Sequence, residues 1–85
     1  MELKDTIQQM LSEDYRERFK AEYYQVKIRY DKLVDMLDRW DKGQLLISPT
    51  CPRELLWRQV TVMEDYMDLL IERSIAEGID LSYDS

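Results

Sequence analysis

The chain has 85 residues, enough for one domain of modest core, and a domain this small is often stabilised by self-association. With only two Gly and two Pro, the composition suits long helices and disfavours a turn-rich all-β fold, and a net charge of −6 argues against a general nucleic-acid or anionic-lipid binder. Histidine is absent and Cys51 is the only cysteine, so the commonest general base and metal ligand, an internal disulfide and a structural zinc site are all excluded.

Leu3, Ile7, Met10 and Leu11 share a helix face and predict a short amphipathic helix over about 2–11. The same stretch, MELKDTIQQM, lacks the basic start and apolar core of a signal peptide. Ser12, with Glu13 and Asp14 behind it, suits a helix start. A second helix is expected over about 13–42. Its stripe of Phe19, Tyr23, Val26, Tyr30, Leu33, Leu37 and Trp40 steps 4, 3, 4, 3, 4, 3, the period of a helix packed along a near-parallel partner. At 1.5 Å per residue such a helix is roughly 45 Å long.

Gly43 after Lys42 reads as a C-terminal cap, and QLLISPTCP, with both prolines, reads as the hairpin turn over 43–51. Leu45, Leu46 and Ile47 are apolar for a solvated loop and are expected to cap the end of the bundle. A third helix is expected over about 52–77, with Pro52 as its first residue and Thr50 or Cys51 as its cap. Leu56, Val60, Met63, Met67, Leu70 and Ser74 repeat the heptad stripe, and Gly78 closes the helix. In the tail over 78–85, Ile79 and Leu81 are candidates to dock. The fold expected is all-α, a short N-terminal helix followed by a long antiparallel helical hairpin.

Both long helices carry apolar residues off the main stripe. Ala21, Tyr24 and Ile28 lie nearly opposite it on the second helix; Leu55, Val62, Tyr66 and Leu69, widened by Trp57, Ile71 and Ile75, form a second line on the third. An isolated hairpin leaves such lines exposed, which predicts a homo-oligomer or partner interface at Tyr24, Ile28, Leu55, Trp57, Val62, Tyr66 and Leu69.

No residue pattern points to catalysis: there is no Ser–His or Cys–His pair and no glycine-rich phosphate loop. The acids Glu64, Asp65, Asp68 and Glu72 read as a solvated face, and Cys51 as a small turn residue; no cofactor or metal is expected. Residues 13–32 are slightly basic, with Arg16, Arg18, Lys20, Lys27, Arg29 and Lys32 among Tyr15, Tyr23 and Tyr24. Cations beside aromatic rings suit a nucleotide, stacking on its base and hydrogen-bonding its phosphate. Tyr24 is flanked one turn either way by Lys20 and Ile28, with Lys27 adjacent. Glu17, Glu22 and Asp31 share the region, so a salt-paired solvated face or a surface for an acidic protein partner reads equally from it.

The segments DYRERFKAEYYQVKIRYDKLVDMLDRW, SPTCPRELL and RQVTVMEDYMDLLIERS resemble small uncharacterised helical-hairpin proteins of crAss-like phages and Firmicute prophages. The matching elements are Glu22 to Leu33, Pro52 to Leu56, and Gln59, Met63, Tyr66 and Leu70. The layout is also similar to that of phage anti-CBASS sponges, which assemble into hexamers and sequester cyclic nucleotides. That resemblance implies a cytoplasmic counter-defence protein of a bacterial host cell holding a small anionic nucleotide between subunits, with no DNA and no membrane partner. It also makes Tyr15, Lys20, Tyr24 and Lys27 the candidate ligand residues, as the nearest equivalents of the sponges' aromatic and lysine pocket residues. Two alternatives stand beside it: a protein-binding inhibitor of a host defence or regulatory enzyme, and a structural hairpin with no small ligand.

Overall fold

The structure is a computed structural model that describes residues 1–81; the end of the tail expected over 78–85 lies outside them. A 3-10 turn, Leu3–Thr6, leads into a single α-helical turn, α1, Ile7–Met10. Two long helices follow, α2, Tyr15–Asp41, and α3, Arg53–Glu77, in a body 43 × 24 × 21 Å across. The expected all-α hairpin with a short leading helix is therefore the fold observed.

The ends of the elements follow from local chemistry. A reciprocal pair, Glu2 with the Asp5 backbone and Asp5 with the Glu2 backbone, tightens the N-terminal segment into a 3-10 turn instead of the continuous helix expected over 2–11. Asp14, not Ser12, caps α2 by accepting from the Arg16 N–H at 2.9 Å; the Ser12 hydroxyl accepts from the Asp14 N–H instead. Pro52 is the capping residue of α3 and not its first helical residue. Gly43 and Gly78 both adopt positive φ, which lets the chain leave each helix while the amides of Gln44 and Ile79 reach back, each at 2.8 Å, to the carbonyls of Arg39 and Ser74.

The heptad stripes meet as expected. Phe19, Tyr23, Leu37, Val60, Leu70 and Ser74 are buried, and Val26, Tyr30, Leu33, Trp40, Leu56, Met63 and Met67 are half-buried. Cross-hairpin pairs mark an antiparallel register: Tyr15 with Arg73, Glu22 with Tyr66, Tyr30 with Glu64 and Asp41 with Arg53. Arg73 also lies over the Phe19 ring, 4.9 Å from its centroid, and so ties the last turns of α3 to the first turns of α2.

On its far side α2 carries the N-terminal segment, which runs antiparallel to it. Gln9 donates to Glu17 at 3.1 Å, Gln25 to the Thr6 hydroxyl at 3.0 Å and Lys32 to Glu2 at 3.2 Å. The tail docks as well: Ile79 and Leu81 join Phe19, Tyr23, Tyr24 and Leu70 in one buried cluster. The turn behaves differently from expectation. Leu46 and Ile47 are exposed and Leu45 only half-buried, so this apolar run does not cap the bundle. It lies beyond the last paired turn, where neither helix stripe extends to receive it.

Truncating Leu37, which is 0% exposed, to Ala should leave a cavity in the seam and destabilise the protein by about 2–5 kcal/mol. Urea unfolding followed by far-UV circular dichroism measures the loss.

Candidate functional site

The sequence offers two sets of functional residues, and the structure rearranges both. Of the candidate ligand residues, Tyr24 is buried, packed edge-on against Tyr23 with ring centroids 5.8 Å apart and covered by the docked tail. Lys20 sits 3.5 Å from Glu17 and Lys27 2.9 Å from Asp31. Tyr15 is exposed and lies about two and a half turns from Tyr24, hence on the opposite side of α2. Its hydroxyl accepts from Arg73 at 2.9 Å. Tyr15, Lys20, Tyr24 and Lys27 thus do not converge on one open pocket.

The candidate interface residues divide similarly. Tyr24 and Ile28 are buried within the protomer, the first in the tail cluster and the second on the face of α2 that receives the N-terminal segment. Neither is free to meet a partner, which corrects the expectation drawn from their place opposite the seam. Leu55, Val62, Tyr66 and Leu69 remain exposed along one side of α3. Trp57, two residues from Leu55, projects from the far side of the helix, where the Arg53 guanidinium lies 5.4 Å from its ring centroid.

The hairpin has two unlike flanks. On one, a shallow groove of about 260 Å³ is lined by Tyr30, Glu64, Met67, Asp68 and Ile71. Tyr30 donates to Glu64 at 2.7 Å there, and the neighbouring Asp31 and Asp68 keep the surface acidic. That groove repels an anion. The other flank is fixed by the pairs Tyr66–Glu22 and Arg73–Tyr15. Helical spacing places Arg18 and Arg29 of α2 on this flank, one and two turns from Glu22, beside the exposed line of α3. Its carboxylates are engaged, Glu22 by the Tyr66 hydroxyl and Glu77 by Arg73 at 3.5 Å, and Arg29 has no acidic partner among the described residues. The result is a basic, aromatic and apolar surface on a protein that is acidic overall.

Arg73 is the functional candidate that sequence reading missed. It stands seven residues after Tyr66 on the second line of α3, so a heptad continuation past the apolar residues would have found it. Among the described residues no group of three or more His, Cys, Asp or Glu is placed to hold a metal ion, and no helix is long and apolar enough to cross a membrane.

Against known protein families, the Sequestin model matches residues 13–75, from the start of α2 to the last turns of α3. The chain belongs to the Sequestin family. Sequestins are non-catalytic phage anti-defence proteins that sequester signalling molecules. The matched span takes in the whole basic flank and leaves out the N-terminal segment and the tail. Comparisons with curated proteins and with solved structures gave no match.

The Tyr66 hydroxyl ionises above its ordinary 10.0, first because it donates to Glu22, then through desolvation and the charge of Glu22, with Arg73 opposing. A raised value means that the hydrogen bond persists below pH about 10 and is lost as pH rises through the higher folded value. Glu22→Gln should therefore shift part of the phenolate absorbance titration to lower pH. An unchanged titration would show that the pair does not form.

Proposed function

We propose that this Sequestin-family protein counters host defence by capturing a small anionic signal of the cyclic-nucleotide type on the basic flank between α2 and α3. The flank's composition carries this reading: Arg18, Arg29 and Arg73 alternate with Tyr15 and Tyr66, and Arg29 is without an acidic partner among the described residues. Guanidinium groups grip phosphate in a bidentate fork, and phenol rings accept a stacked base. Capture without turnover needs nothing more, since no bond is made or broken. The flank runs directly into the exposed line of Leu55, Val62 and Leu69. A second copy seated on that line would wall in a bound signal and raise its residence time by excluding water. Family membership supports sequestration as the mode of action, and the chemistry of the flank supports the anionic, base-bearing class.

The test is isothermal titration and native mass spectrometry against cyclic di- and trinucleotides and cyclic ADP-ribose compounds. One member of that set should bind stoichiometrically and raise Tm, because a ligand that binds only the folded state stabilises it. Arg29→Glu should weaken that binding roughly tenfold or more, the loss of one charge-assisted contact, without lowering Tm in the absence of ligand. Lys20→Glu, on the other side of α2, should leave binding unchanged. Equal loss from both substitutions would displace the site from this flank, and failure to bind any of these compounds would overturn the nucleotide assignment.

A further inference from the structure

The second line of α3 has a symmetry that the first lacks. Leu55 and Leu69 stand seven residues to either side of Val62. Inside them, Arg58 and Asp65 lie on one edge of the line, and Gln59 and Tyr66 on the other. Read backwards from Val62, the line presents the complement of what it presents forwards: leucine against leucine, cation against anion, amide against phenol.

Leu55, Val62 and Leu69 are 50%, 67% and 58% exposed, so none of the described residues buries them. Arg58 has no hydrogen bond or ion pair among the described residues. Asp65 is two turns away along the same helix, roughly 10 Å, which is too far for the two to pair internally. Both charges are left for an external partner, and the spacing supplies one.

We propose that two copies associate through α3 against α3 about a two-fold axis beside Val62, the helices antiparallel. Val62 then meets its own counterpart on the axis, each Leu55 packs near the Leu69 of the other copy, and each Arg58 pairs with the opposite Asp65. A two-fold contact uses the same patch twice, so every interaction off the axis forms in duplicate. The occupant is a second copy and not an unrelated protein because the charge order along the line is complementary to itself in this one orientation. A parallel pairing in the same register would instead turn the Arg58 and Asp65 edge toward the Gln59 and Tyr66 edge of the other copy and leave both charges unpaired. The arrangement covers the apolar surface and leaves Arg18 and Arg29 open at its margin. It stands on the α3 line alone and does not require a ligand.

The test is analytical ultracentrifugation of the ligand-free full chain across micromolar concentrations. The expected result is a species of twice 10.3 kDa in reversible equilibrium with the protomer. Val62→Asp sets two carboxylates against each other on the axis and should give protomer alone, with helix content by circular dichroism unchanged because residue 62 is exposed. Arg58→Asp and Asp65→Arg should each weaken association by roughly tenfold, and the two combined should restore it. Because residues 58 and 65 do not pair within one helix, restoration reports a contact between copies. Protomer alone at every concentration overturns the proposal. So does association that Val62→Asp leaves intact, or a double variant no better than its parents. Ligand titration is read separately, so loss of the two-fold contact and loss of the nucleotide reading are told apart.

Discussion

The fold depends on α2 being buried along two opposite faces. One takes α3 through the heptad stripe from Phe19 to Trp40, and the other takes the N-terminal segment over Ala21 and Ile28. A helix covered on one side only would expose these residues to water, at about 25 cal/mol for each Å² of apolar surface. Covering both turns α2 into the core of the molecule and leaves α3 as a wall. The two long helices look alike in sequence, with main stripes of the same period, yet one ends almost fully dressed and the other half bare.

That asymmetry explains what could be read from the sequence. The hairpin was legible because a 4, 3 repeat sustained over five or more turns has few other solutions. Gly43 and Gly78 marked helix ends because positive φ is strained for other residues. The fate of the two second lines was not legible. Tyr24 and Ile28 match Leu55 and Val62 in apolar character, and what separates them is a pair of short segments, residues 3–10 and 79–81, that cover the second line of α2 and leave that of α3 bare. Segments so short carry little periodicity, so their docking is decided by tertiary contact. The exposed loop residues Leu46 and Ile47 show the reverse: apolar character without a neighbouring surface does not produce burial.

The candidate site was half visible for the same reason. Basic and tyrosine residues in the first half of α2 are apparent in the sequence, but a helix distributes them to all sides. The fold selects among them by covering Tyr24, pairing Lys20 and Lys27 with acids, and leaving Tyr15, Arg18 and Arg29 beside Tyr66 and Arg73. Two contacts, Tyr66 to Glu22 and Arg73 to Tyr15, join the helices along that edge and engage the Glu22 carboxylate in a hydrogen bond. A signal-sequestering protein needs shape and charge held ready, and these contacts fix both without any catalytic group.

The placement of the largest buried cluster has a mechanical meaning. Phe19, Tyr23, Tyr24, Leu70, Ile79 and Leu81 gather at the end of the hairpin where the chain does not connect the helices, while the connecting residues around Leu46 and Ile47 stand in solvent. The covalent link and this buried cluster are therefore at opposite ends, with the Leu37 and Val60 seam between them. A cut in the exposed connection removes the covalent link between α2 and α3 but touches none of the contacts in that cluster, so the continuity of the chain and the packing of its open end are separate properties.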